Sequence, residues 1–275
     1  MKKPALLARG LLIATMMLAN APSAHADDDG CAAGAAIVRN AYPNAKPSGS
    51  RFIIDGANIT LSSENDAHHV VCRVWSAHPE RMLAAVPLIT QTRTSDRENE
   101  GDLDLLILDR ASLRVTQRLR LAGRLSDNAI WIRQIAFDTA RYKLTAEQTA
   151  FGLRFVKNGS SRPNPFHEIG LWLYVVEGNR IRPVADGIIV KRHRGEWDTN
   201  CAGTFEDTDR TIAMDTAKHN GYADLLITET TSSTIASVGQ DGQCERHSGK
   251  TTRSTSRLAY NGAQYDVPEA LKPVE

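Results

Sequence analysis

The stretch Val115-Thr116-Gln117-Arg118-Leu119-Arg120-Leu121 alternates: its apolar residues fall two apart, with Arg118 and Arg120 between them. Successive side chains of an extended chain point to opposite faces, so the pattern predicts a strand with one apolar and one charged face. Just upstream, Leu103-Asp104-Leu105-Leu106-Ile107-Leu108 is apolar almost throughout, which suits a strand covered on both faces.

Working outward, strand-like runs bounded by polar turns recur along the chain. They are Arg51–Ile54, Asn58–Leu61, Val70–Trp75, Leu83–Ile89, Ile130–Phe137, Phe151–Val156, Leu171–Val176, Ile188–Lys191, Thr211–Met214, Ala223–Thr228, Arg257–Tyr260 and Gln264–Val267. Glu177-Gly178-Asn179 and Asn261-Gly262 sit between such runs, and residues that tolerate positive φ there predict antiparallel hairpins. Asn158-Gly159 ends a third strand. Helical pattern is scarce. Asp27–Tyr42 is the exception, Ala-rich from Cys31, with the acidic Asp27-Asp28-Asp29 suiting a helix N-terminus and Pro43 stopping it; Asn44–Ser50 reads as a linker. The expected fold class is mainly β: antiparallel strands in a small β-propeller-like or two-sheet sandwich domain over 51–275, after a short N-terminal helix and linker at 27–50.

Ile135-Ala136-Phe137-Asp138-Thr139-Ala140-Arg141 returns 77 residues later as Ile212-Ala213-Met214-Asp215-Thr216-Ala217-Lys218, each copy followed by an aromatic-led strand. The echo predicts a repeated β unit, as in propeller blades or a duplicated sandwich. Gly101-Asp102-Leu103-Asp104-Leu105-Leu106-Ile107-Leu108-Asp109 and Gly221-Tyr222-Ala223-Asp224-Leu225-Leu226-Ile227-Thr228 resemble the G-x-x-D-L-L-V strand of FG-GAP or VCBS-type repeat proteins. The closing Arg257–Tyr265 segment is similar to the last hairpin of exported bacterial proteins of that style, and the layout is similar to that of proteobacterial periplasmic proteins. The resemblance implies a binding scaffold. The chain lacks the D-x-D-x-D-G loop of true FG-GAP blades, so calcium binding does not carry over.

Lys2, Lys3 and Arg9 flank and precede the apolar Leu11–Ala19, and Ala24-His25-Ala26 follows: the pattern of a secretory leader cleaved after Ala26. The apolar run falls short of the roughly 20 residues that a bilayer requires, and no later run is long enough, so no transmembrane segment is expected in the mature chain. The mature protein is expected to be periplasmic or secreted. Three of the 33 Lys and Arg and none of the 32 Asp and Glu lie in the leader, leaving a net charge of about −2. That balance offers no electrostatic footprint for nucleic acid or anionic membrane. Cys31, Cys72, Cys201 and Cys244 predict two structural disulfides, which four cysteines can form in three ways. Cys31–Cys72 and Cys201–Cys244 is the expected pairing, since each closes a loop of about 40 residues and staples one end of the chain.

No group of residues carries a recognisable chemistry. His68, His69, Cys72 and His78 are the densest metal-capable set, but neighbours on a strand face opposite ways, so loop histidines and no metal are expected. Asp198, Glu206, Asp207 and Asp209 surround Cys201 and read as a solvated turn rather than a calcium cage. Ser160, Ser161, His167 and Glu168 include the residue types of a hydrolytic site, but the segment lacks the second glycine of a nucleophile elbow. No catalytic residue and no cofactor is assigned. The charged loop Thr92–Asp102, with Arg97, Glu98 and Glu100, is a candidate recognition surface. Arg192-His193-Arg194 with Trp197 is the second, although Trp197 also suits a core position. The expected function is an exported non-catalytic binding module whose partner is another envelope or secreted protein. A specific form is an inhibitor or immunity-type protein against an envelope-acting toxin or hydrolase. The alternatives are a periplasmic hydrolase working through Asp198, His167 or Glu168, and a structural envelope protein.

Overall fold

A computed structural model describes residues 31–63, 66–92 and 99–274. Within them one short helix precedes two antiparallel sheets of seven strands each. The first sheet holds β1 (Lys46–Ser48), β2 (Arg51–Ile54), β3 (Ala57–Thr60), β5 (Arg81–Thr92), β6 (Asn99–Asp109) and β7 (Val115–Ser126) in that order, with β4 (Val71–Val74) on β5 beside β3. The second is a meander in chain order: β8 (Ile130–Lys143), β9 (Thr149–Gly159), β10 (Phe166–Glu177), β11 (Arg180–Trp197), β12 (Gly203–His219), β13 (Tyr222–Val238) and β14 (Cys244–Leu258). The arrangement is the sandwich-like one of the two expected architectures.

Between the sheets lies an apolar layer that joins Leu83, Leu103, Leu105 and Ile107 of the first to Ile135, Phe151, Phe155, Trp172 and Tyr174 of the second. As its sequence predicts, β6 is covered on both faces, for Leu106 and Leu108 point away from this layer. There they meet Ile37, Val38 and Tyr42 of α1 (Gly34–Ala41) and its flank. The helix starts later than expected from Asp27: Cys31–Ala33 form a turn, with the Gly34 N–H donating to the Cys31 carbonyl at 2.8 Å, and the acidic triplet lies outside the described residues. The expected linker contains β1, because Lys46–Ser48 pairs with Ile53–Arg51.

The charged face of β7 is not simply solvated. Arg118 donates to the Ala41 carbonyl at 2.6 Å and stacks on Tyr42, while Arg120 pairs with the fully buried Asp104. Asp104 also accepts from the Tyr42 hydroxyl at 2.6 Å. Burial, followed by the neighbouring carboxylate, drives that hydroxyl far above the ordinary tyrosine range. The second G-x-x-D-L-L phrase buries its carboxylate likewise: Asp224 is fully covered and accepts from His219 Nδ1 at 2.8 Å. Both aspartates thus serve the packing of a strand. The two copies of the echo also share a local shape. Asp138 and Asp215 each accept the N–H two residues on, each sits at a register irregularity, and each pairs with an arginine, Arg154 and Arg257 respectively.

Within the second sheet, β11 and β12 pair only over Lys191–Trp197 with Asp209–Gly203. Beyond that they part, and a second apolar layer fills the gap, with Leu173, Val184 and Ile188 against Leu225, Ile227 and Leu258. The C-terminal segment is inserted there. Gln264–Val267, expected as a strand, makes only an isolated bridge between Tyr260 and Tyr265. Buried Tyr265 instead donates its N–H to Val184 at 2.7 Å and its hydroxyl to the Ala223 carbonyl at 2.6 Å. Asn261-Gly262 does turn the chain as its chemistry predicts, with Gly262 at φ +102°.

At the other end, the paired parts of β11 to β14 run on past every apolar cluster. None of the three clusters contains a residue from 191–211 or 228–257. The expected disulfides are both present, with Cα–Cα distances of 5.1 Å for Cys31–Cys72 and 5.5 Å for Cys201–Cys244. The second ties the β11–β12 turn to the start of β14, at the tip of this polar extension.

Candidate functional site

Antiparallel register decides which side chains meet on the extension, since directly opposed residues share a face. One row runs Asn158–His167–His193–Asp207–Ser232–Thr251 across six strands, β9 to β14. Within it, His167 Nδ1 meets Asn158 Oδ1 at 2.8 Å, and His193 Nδ1 meets Asp207 Oδ1 at 2.8 Å. Each imidazole is thus oriented by a side-chain oxygen, leaving its Nε2 for something else. Burial, then the charges of Lys191 and His193, holds the pKa of His167 below the ordinary histidine range.

The next row toward the tip is Gly195–Phe205–Thr234. A Cβ on Gly195 would come within 2.5 Å of the Phe205 ring, and one on Gly203 within 3.2 Å. The two glycines let the ring lie down on the sheet, parallel to the His193 ring (interplanar angle 14°, centroids 6.0 Å apart). The Arg246 guanidinium stacks over Phe205 at 5.6 Å. The segment from Ser160 to Pro165 rises beside this floor and is pinned to β11, with Trp197 N–H donating to the Pro163 carbonyl at 2.7 Å. Together they enclose a solvent-open cleft of about 530 Å³, also lined by Arg162, Phe166 and Trp197. Its size is that of a small-ligand site. Exposed Arg162 and Arg246 make no ion pair among the described residues.

The residues expected to form a surface at 192–197 are divided by the pleat. Trp197 is half-buried in the cleft wall. Arg192 and Arg194 point to the other face: Arg192 pairs with the buried Glu168 at 2.5 Å, and Arg194 with Glu206 at 2.7 Å. Strand alternation is the reason, and it carries Glu168 away from His167 as well. Asp198 caps the turn into Cys201, accepting from the N–H groups of Asn200 and Cys201 at 2.8 Å. These bonds hold its carboxyl below the usual range. Glu206, Asp207 and Asp209 lie within β12 rather than in the expected solvated turn, and each meets its own basic side chain, Arg194, His193 and Lys191 respectively. Arg97 and Glu98 lie outside the described residues; Glu100 is the second residue of β6, half-buried.

His68 departs from the exposed loop position expected of it. It is buried, with Nδ1 3.0 Å from Asp66 and Nε2 3.3 Å from Asp127 in the β7–β8 turn. Asp127 comes from 59 positions away, which no local pattern reveals. Among the described residues, no group of three or more His, Cys, Asp or Glu is placed to hold a metal ion, and no helix is long and apolar enough to cross a membrane. Comparisons with protein-family models, curated proteins and solved structures found no match for the chain.

Proposed function

We propose that the protein is an exported, non-catalytic binding module that holds its ligand in the cleft over β10–β13. The observation that carries this reading is a concave aromatic floor rimmed by two guanidinium groups, Arg162 and Arg246, that make no ion pair among the described residues. A charge already paired within the fold has little left to give a ligand, whereas these two are available. Export is supported by the leader-like N-terminus and by the pairing of all four cysteines. The inhibitor or immunity form, in which the partner is an envelope-acting toxin or hydrolase, is the version that uses the Thr92–Asp102 loop.

A hydrolytic reading rests on a different observation. The His193–Asp207 pair has the oriented geometry of a catalytic imidazole, and Ser160 and Ser161 line the same cleft. Yet among the described residues no hydroxyl is hydrogen-bonded to His193, and Ser161 Oγ accepts from the Asn164 N–H at 3.1 Å.

The test is capture from envelope fractions, with proteins and glycans both identified, using the oxidised chain. Retention lost on Trp197→Ala with Arg246→Ala, and kept on Arg97→Ala/Glu98→Ala/Glu100→Ala, is the expected result. The reverse pattern moves the contact to the charged loop. Turnover of captured material that His193→Ala abolishes would overturn the non-catalytic reading.

A further inference from the structure

We infer that the ligand of this cleft is an acidic saccharide, a sugar ring bearing a carboxylate; the inference rests on the binding-module reading above. Three features of the cleft fit that chemistry together. Phe205 lies flat on the sheet, because Gly195 and Gly203 leave room beneath it; Arg246 stacks over its ring, and Trp197 stands beside it as further aromatic surface. Aromatic surfaces of this kind pack against the apolar faces of a sugar ring, burying its C–H groups. Asn158, His167, His193 and Thr234 offer donors and acceptors along the same floor, which suits the several hydroxyls of a saccharide. Arg162 on the loop and Arg246 on β14 stand at the rim without an ion pair among the described residues, and a guanidinium matches a carboxylate with two parallel hydrogen bonds. The acid among the residues that line the cleft is Asp207, and it is engaged by His193 at 2.8 Å.

A peptide ligand fits the place less well. Extended peptides gain affinity by adding to an unpaired strand edge. The floor is built from β10 to β13, each hydrogen-bonded to a neighbour on both sides, so the floor presents a sheet face; the free edge of the sheet on this side is that of β14, at the rim. Its volume, about 530 Å³, also matches a one- or two-ring ligand better than an extended chain.

The experiment is isothermal titration of the oxidised full chain with a uronate tetrasaccharide, N-acetylmuramic acid, neutral maltotetraose and an acidic Glu/Asp peptide. At least one acidic saccharide is expected to bind about tenfold or more tighter than the neutral one, and less tightly as salt is raised. Arg162→Ala and Arg246→Ala are each expected to weaken it about tenfold, and Arg246→Lys to restore only part, since lysine lacks the planar fork. Both arginines are exposed and make no ion pair among the described residues, so circular dichroism should show these variants folded. Equal binding of neutral and acidic sugars, with Trp197→Ala still abolishing both, overturns the acidic specificity and leaves the cleft reading standing. Preference for the peptide overturns the saccharide assignment. Binding of none of the probes at millimolar concentration overturns it too, and the capture experiment then reports separately on the cleft.

Discussion

The two ends of the second sheet are made from the same strands and held together differently. At one end, β10 buries Leu171, Leu173 and Val175 on one face and Trp172 and Tyr174 on the other. Each such side chain contributes about 1.5–3 kcal/mol through water exclusion. At the other end, β14 exposes every residue from Cys244 to Arg257, and its sequence turns to Thr251-Thr252-Arg253-Ser254-Thr255-Ser256. There the ladder is reinforced by cross-strand pairs such as Thr208–Thr231 at 3.2 Å and by the Cys201–Cys244 bond. A sheet can therefore leave its core behind if something else limits the freedom of the unfolded strands. The region so freed from packing is where polar side chains can be displayed to a ligand.

The largest expected effect tests the packed end. Phe151 is fully buried against Trp75 and Tyr174, with ring centroids 5.2 and 5.7 Å away. Phe151→Ala should cost about 3–5 kcal/mol, lowering the denaturant midpoint of the whole molecule. A loss under about 1 kcal/mol would mean that the interface between the sheets is not the main source of stability. Next is the extension. Cys201→Ser with Cys244→Ser should remove about 2–4 kcal/mol of constraint. The loss should fall locally, as faster amide exchange in 229–238 and 244–254 while β6 and β10 stay protected. Uniform loss of protection would break the comparison, because the two ends would then unfold as one unit.

The smallest effect is the response to acid, which should come in two stages. Burial first, then Lys191 and His193, lowers the His167 pKa, so folding favours the neutral ring. The unfolded chain takes up that proton below about pH 6.5, so stability is expected to fall slightly as pH drops from 7 to 5. In the packed end, Asp138 is pushed up by burial but held below the usual carboxylate range by the Ala140 N–H and Arg154. Its contribution is present above about pH 4 and is lost as pH falls through its depressed value. Thermal midpoints measured from pH 7 to 2 should therefore decline in two stages. His167→Asn should flatten the first and Asp138→Asn the second; an unchanged first stage would remove His167 as its source.

Much of the strand content was legible in local pattern. The apolar run Leu103–Leu108 became a strand covered on both faces, and Leu119 and Leu121 share the face toward the second sheet; Val115 was expected with them, but the register shift between Ile107 and Leu108 turns it to the helix side. The polar halves of β12, β13 and β14 were not legible, since a strand without a core carries no hydrophobic period. The site was read in part. Trp197 was among the candidates and lines the cleft, while Arg192 and Arg194 were grouped with it although alternation sends them to the opposite face. Phe205, Arg162 and Arg246 carried no signal of their own. The Lys191/His193/Gly195/Trp197 periodicity could have separated the two faces, but it names no partners on the other strands.

The sequence by itself determined that the chain is mainly β and where its hairpins turn, because these depend on residue type and short spacing. Only the tertiary structure decided that Asn158, His167, His193 and Asp207 form one row, that Arg246 reaches Phe205, and that Asp127 reaches His68. Those meetings follow from strand register and sheet order. They are set by how whole faces bury against one another, and a shift of one residue in any strand would turn its side chains to the other side.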